Sequence, residues 1–429
     1  MKRFFFSGII LVFFFAVLGE MGRLPFGPGN GLLANDLLLP ILISVWIFQK
    51  TFVDRQWPKT FLWAPFLTFI VIALISLLNG SRFLTLKETI ISGLYLIRFI
   101  EYFFIAFITY DLAQDNNTKE KCFNGLLISA VAISILGFLQ LKVFPDFTQM
   151  QDLGWDPHIN RLLSTWFDPN FVGGMLAFIL SLTSAKLIKK DDPTSKRFLI
   201  ISGGIILIAL FMTYSRSSYL ALITSLGLIG LLRSRKLILF GILASLLLVS
   251  VSSRAQDRVS DLYYSAKSVL TETYELPDAS ARLRLDSWEN AIVFIKDHPF
   301  LGIGYNTYSF TQHRYGFIGS LDDHAATGSD STLLTIWATT GTIGLIAYLW
   351  ILGSIFWKTY HHRDNPLALG VLTGTIGLLV HSIFVNSLLF TPLLIFFYSG
   401  IGLALNNSTE KTEPVIIGKL TPSPEQKKS

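Results

Sequence analysis

The chain has 429 residues, of which 51% are hydrophobic and 15% charged, with 36 Phe and a formal net charge of +6. Soluble domains carry roughly a quarter charged residues, so this composition excludes an ordinary water-soluble enzyme. A single cysteine, Cys122, excludes a disulfide framework within the chain and a cysteine-based metal site.

A bilayer span needs roughly 20 apolar residues. Near-uncharged runs of that order occur at 4–19, 31–49, 61–79, 86–110, 122–141, 170–188, 198–213, 217–232, 236–252, 331–357, 366–386 and 388–405. The fold class is therefore an all-α integral membrane protein with about twelve transmembrane helices. The first run follows Lys2-Arg3 as a secretion signal would, but its end, AVLGE, lacks small residues at the cleavage positions, so it is kept as a helix. Residues 1–252 hold the first nine spans, 253–330 form one large polar loop, 331–405 hold the last three, and the polar, Pro- and Lys-containing tail 406–429 reads as disordered.

Most of the 35 Lys and Arg fall on one side of this threading: Lys2-Arg3, Lys50/Arg55/Lys59, Lys119/Lys121, Lys186 to Arg197, Arg233 to Lys236, Lys358/Arg363 and the tail. By the positive-inside rule that side is cytoplasmic, which puts both termini inside and the long loop outside. The basic excess is thus a membrane-topology signal and implies no nucleic-acid partner. No P-loop or dinucleotide fingerprint is present, so any energy source must arrive with the substrate.

Polar residues stand out against the apolar runs. In the fourth span Arg98 and Glu101 lie three apart on one helix face, as an internal ion pair or as intramembrane substrate contacts. Asp168-Pro169 reads as a helix start, with Asp capping and Pro in the first turn, and Asn170 as a possible site contributor. TYSRSSY puts Arg216 in a short outer turn, where the guanidinium could grip a phosphate or snorkel to membrane lipids. In the loop, Leu285, Trp288, Ile292 and Ile295 recur at helical spacing, so 281–297 is expected to be an amphipathic helix able to lie on the membrane. Arg284 shares a face with Trp288 and Arg282 points the other way. Asp322-Asp323 could hold a metal in principle but reads as loop surface. Asp330 closes the loop at the entrance to the tenth span, where an acid can be a cap or a functional carboxylate.

In this order and topology the motifs resemble the O-antigen ligase and polymerase superfamily of bacterial envelope glycan assembly. The resemblance covers mainly 160–405: FDPNFVGG, SRSSYLAL, Arg284 and Trp288 followed by PFLGIGYNTY, and the segment ending in GTIGL. It implies a metal-independent, cofactor-free, inverting glycosyltransferase in the bacterial cytoplasmic membrane, whose partners are an undecaprenyl-diphosphate-linked glycan donor and a glycan, lipid or protein acceptor. Ligases of this group carry His, then Asn, Ser or Gln, then nine residues, then GxxG. Ser331, Gly341 and Gly344 fit, but the His position is Asp330, and that departure favours a polymerase or other glycan transferase.

A lipid-diphosphate donor is already activated. The enzyme must hold the diphosphate, stabilise the charge that grows as it leaves, and take a proton from the acceptor hydroxyl. Arg216 and Arg284 suit the first two tasks, with Arg282 as a further cation. Asp330 suits the third, with His324 as the other possible base. The competing class is a multi-span transporter of a small solute or lipid-linked glycan. Against it stand the absence of any visible internal repeat and the loaded outer loop.

Overall fold

The computed structural model describes residues 1–25, 31–153, 155–189, 192–233, 279–321 and 328–405. Its helices are α1 (Lys2–Leu18), α2 (Ala34–Phe48), α3 (Trp63–Gly80), α4 (Leu86–Leu112), α5 (Asn116–Val143), α6 (Pro169–Lys189), α7 (Pro193–Met212), α8 (Arg216–Leu232), α9 (Ala279–Asp297), α10 (Tyr308–Arg314), α11 (Thr332–His361), α12 (Pro366–His381) and α13 (Thr391–Leu405). A two-residue ladder pairs Leu24–Pro25 with Gly31–Leu32. Among the described residues eight helices are long and apolar enough to cross a membrane, and α8, α12 and α13 are shorter apolar helices. The protein is an all-α integral membrane protein, as its composition requires. The expected ninth span, 236–252, and the tail from Asn406 lie outside the described residues.

Large apolar side chains such as Phe14, Leu37, Ile41, Leu67, Val71, Ile135, Ile201 and Ile208 face outwards, which is stable only against lipid. The interior is built from aromatic stacks and small residues. Phe66 stacks on Phe103 at 4.1 Å and Trp63 on Phe107 at 3.8 Å. α12 is enclosed by α6 and α8, and α13 by α4 and α6. Glycines make those approaches possible: a Cβ at Gly370 would stand 2.7 Å from the Leu182 backbone, and one at Gly377 2.6 Å from the Ala221 carbonyl.

Cross-helix contacts divide the helix ends into two faces. On one, Arg314 of α10 pairs with Glu88 in the first turn of α4, Ser92 Oγ donates to the Asn306 carbonyl at 3.1 Å, and Trp166 Nε1 donates to the Ala16 carbonyl at 2.9 Å. On the other, Lys50 meets Asp111 at 2.8 Å, Lys186 meets Glu120 at 2.6 Å, and Arg233 pairs with Asp364. These two faces alternate along the described helices, and Lys50, Lys186 and Arg233 lie on the one opposite α10. Cys122 is buried, so the wild-type chain is a quiet background for labelling. A cysteine at Gly319, where a side chain meets open space, is expected to react with a membrane-impermeant thiol reagent in intact cells, and one at the exposed His361 is not. The reverse pattern would turn the protein over in the membrane.

The loop is anchored to the bundle by a backbone exchange. α11 breaks at Gly341 (φ 67, ψ −175). In an unbroken helix the N–H groups of residues 342 and 343 would bond the carbonyls of 338 and 339. Here Thr342 N–H donates to the Pro299 carbonyl at 2.8 Å and Ile343 N–H to that of Phe300 at 3.4 Å. The freed carbonyls of Ala338 and Thr339 accept from Ile303 and Gly304, each at 3.0 Å. These four groups are thus satisfied by the turn 299–304, as a buried backbone requires. Ser76 of α3 adds its hydroxyl, 2.7 Å from both the Leu301 and Thr339 carbonyls.

α9 takes its place from this anchor. Its buried face is Ala291, Phe294 and Ile295, packed with Ile303, Tyr308 and Ala338. Of the expected stripe, Ile295 is buried and Leu285 and Trp288 half-buried, but Ile292 is 41% exposed. The correction has a simple cause. The helix packs on α11 and α10 through Phe294, so the protein rather than a lipid surface sets its phase.

Candidate active site

Asp330 is half-buried where the loop meets α11. It is not the cap: the N-cap of α11 is Ser331, whose side chain accepts from the Leu334 N–H at 3.5 Å. The Asp330 N–H instead donates to Ser287 Oγ on α9 at 3.0 Å, which fixes the residue against that helix without using its carboxylate in that bond. Ser287 lies three residues from Arg284, so both are on one side of α9. Arg284 is half-buried and Arg282 exposed, as the helical phase requires. The Tyr308 hydroxyl donates to the Ser287 carbonyl at 3.4 Å, and burial, with the Asp330 charge beside it, holds the Tyr308 phenol above its ordinary value. Trp288 leans on Phe384, ring centres 6.1 Å apart, which brings α9 against the turn that follows α12.

Arg216 is the first residue of α8, behind a tight turn in which Tyr214 takes a left-handed conformation (φ 50) and Ser215 caps the helix. The turn is held from the side by Arg161, whose Nε donates to the Thr213 carbonyl at 2.8 Å and whose Nη2 reaches the Tyr214 carbonyl at 3.5 Å and Asn170 Oδ1 at 3.4 Å. Asn170 Oδ1 also accepts from Ser215 Oγ at 2.9 Å. Asp168 does cap α6: its Oδ1 accepts from the Asn170 and Phe171 N–H groups at 2.6 and 3.0 Å. Arg161 carried no signal beyond its position in an outer loop.

His381, the last residue of α12, is fully buried. Its Nε2 lies 3.2 Å from Ser218 Oγ on α8 and its Nδ1 against Ser387 Oγ, and the charges of Asp168 and Arg284 both act on it. Sequence reading passed over it as part of an apolar run. An ionisable side chain inside a span was the available signal.

The structure therefore brings Arg216, Asn170, Arg284 and Asp330 to one region of the loop-bearing face, joined through Ser215, Ser218, Ser287 and His381. Arg98 and Glu101 belong elsewhere. Arg98 does not form the expected pair with Glu101; it donates to Asp36 Oδ2 at 2.5 Å and to the Gly31 carbonyl at 2.7 Å. Asp36 is the stronger partner because it is held in place: it also accepts from the Leu33 N–H at 2.7 Å and the Tyr102 hydroxyl at 3.1 Å. His324, Asp322 and Asp323 lie outside the described residues.

Asp156, His158 and Asp168 bring one potential metal-ligand atom each within 4.8 Å of one another. Asp168 Oδ1 is already engaged by two helix N–H groups, and the Arg161 guanidinium stands 3.4 Å from His158 Nδ1. A cation there would compete with both.

Residues 201–349, about a third of the chain, match the family model of O-antigen ligase. The matched stretch runs from within α7 to within α11 and contains Arg216, Arg284 and Asp330, while Asn170 and His381 lie beyond it. The match supports the superfamily that the motifs resemble. No curated protein matches the chain.

Proposed function

We infer that this chain, a member of the O-antigen ligase and polymerase superfamily, is a membrane glycosyltransferase that moves or polymerises a glycan from an undecaprenyl-diphosphate-linked donor onto an acceptor hydroxyl, outside the cytoplasmic membrane. The observation that carries the reading is one face of α9, on which Arg284 and the Ser287 anchor of Asp330 sit together. It sets a cation for a leaving diphosphate beside a carboxylate for an incoming hydroxyl.

In the proposed step the acceptor oxygen forms a bond to the anomeric carbon while the bond from that carbon to the diphosphate oxygen breaks. The diphosphate leaves with the electron pair, and Asp330 takes the acceptor proton. Arg216 stands at the N-terminus of α8, where the helix's own N–H groups favour an anion, and Arg284 stands on α9, on the side that carries Ser287. Their positive charge stabilises the leaving group as it develops, the kind of preorganised field that commonly dominates such catalysis. Metal independence and inversion follow from the superfamily resemblance. Polymerisation is favoured over ligation by Asp330 standing where the ligases carry His.

The test is transfer by arginine variants. Arg216→Ala and Arg284→Ala are each expected to reduce activity by about 10²-fold or more, the usual scale for losing one oriented charge at a developing anion. Arg216→Lys should not restore the full rate, because a point charge lacks the bidentate fork. Arg282→Ala should be milder than Arg284→Ala. An essential Arg282 beside a dispensable Arg284 would overturn the assignment of the α9 face.

A further inference from the structure

We propose that His381 is a positioning residue that holds the two halves of this site, the Arg216 end and the Asp330 end, in register. The proposal rests on the glycosyltransferase reading above. Towards α8, His381 Nε2 lies 3.2 Å from Ser218 Oγ, and Ser218 Oγ is 2.9 Å from the Ser215 hydroxyl that caps the helix directly before Arg216. Ser218 Oγ also reaches the Asn170 carbonyl at 3.3 Å. Towards α11, His381 Nδ1 meets Ser387 Oγ in the turn between α12 and α13. That turn carries the start of α11: the Ser382 carbonyl accepts from the Thr332 N–H at 2.9 Å, Leu388 N–H donates to Thr332 Oγ1 at 3.3 Å, and Thr335 Oγ1 donates to Asn386 Oδ1 at 3.1 Å. Thr332 is two residues from Asp330. One imidazole thus spans the gap between the helix that presents the cation and the turn that seats the base.

The ring has no room to do otherwise. A Cβ on Gly174 of α6 would come within 3.0 Å of it, and His381 is fully buried. The charged groups that act on it, Asp168 from α6 and Arg284 from α9, come from the two elements that flank the site. A histidine retained only for packing needs neither hydrogen bond, and an apolar side chain of similar volume would avoid desolvating two ring nitrogens. Two oriented hydrogen bonds to buried serines, one on α8 and one in the turn between α12 and α13, are what fixed alignment requires.

The two nitrogens can be separated experimentally. His381→Asn keeps a polar atom near the Nδ1 position and loses the reach to Ser218, whereas His381→Gln keeps one near the Nε2 position and loses Ser387. Binding of undecaprenyl diphosphate to the purified protein and turnover of lipid-linked glycan from the producing cell are measured for both, with Ser218→Ala and Ser387→Ala as gentler versions of the same cuts. We expect His381→Asn and Ser218→Ala to weaken undecaprenyl diphosphate binding about tenfold, and His381→Gln and Ser387→Ala to lower turnover about tenfold with binding near normal, the loss expected of one oriented hydrogen bond to a functional group. The same effect from His381→Asn as from His381→Gln and from Ser218→Ala as from Ser387→Ala, wild-type behaviour in all four, or loss of the folded protein in all four would make His381 a core histidine and overturn the proposal. Normal binding and transfer by Arg216→Ala would instead sink the donor-site reading, and this inference with it.

Discussion

Asp330→Asn is expected to lower glycan transfer by roughly 10² to 10⁴-fold, the range for removing a general base, while leaving protein level and donor binding intact. The structure explains why so large a loss should come without instability. The bond that seats the residue is made by its backbone N–H to Ser287, and the helix is capped by Ser331, so neither depends on the charge of the side chain. Asn preserves the volume and loses the negative charge, and with it the capacity to accept a proton. Asp330→His would place the ligases' residue here and should retain part of the activity. Near-normal assembly of glycan by the Asn variant would end the catalytic reading of Asp330 and shift it to His324.

Gly341→Ala should abolish the folded protein, read as loss of monodisperse material after membrane extraction. The dihedrals of Gly341 (φ 67, ψ −175) fall in a region open essentially to glycine alone, and forcing another residue into it costs of order 1–3 kcal/mol. The larger penalty is steric. An added Cβ would overlap the Phe300 carbonyl and come within 2.5 Å of the Leu301 N, so the turn 299–304 would have to withdraw from α11. Withdrawal breaks four backbone hydrogen bonds at once, and a group left unpaired inside the bundle costs about as much as a lost hydrogen bond. Gly353→Ala, further along the same helix and facing open space, is the control and should be neutral or slightly stabilising. A wild-type yield and melting temperature for Gly341→Ala would show that the exchange is not needed to hold the loop.

The described apolar helices and the loop helix were legible because each rests on local pattern: apolar length and 3.6-residue spacing. The phase of Arg284 against Arg282 was legible for the same reason. What stayed hidden depends on distant partners. Arg98 is three residues from Glu101 but bonds Asp36 on another helix, and no spacing rule could choose between them. Ile292 continues the apolar stripe of α9 and yet faces outwards, because Phe294 is what fills the space beside Tyr308. His381 was passed over because apolar neighbours concealed its two serine partners, one 163 residues away. Gly341 was noticed as half of a GxxG pair, but its task, accepting the turn that begins at Pro299, only emerges once the two segments are placed together.

The enclosure of α12 and α13 bears on how the protein is made. Translation delivers α1 to α8 first, yet the helices that fill the centre between α4, α6 and α8 come last in the chain. Until they arrive, the inner faces of the early helices, including Phe178, Ala221 and Ser225, are covered only by lipid or by one another. Assembly is therefore completed by its last helices, and a polypeptide arrested before Pro366 would leave the faces of α4, α6 and α8 that α12 and α13 cover without their partners.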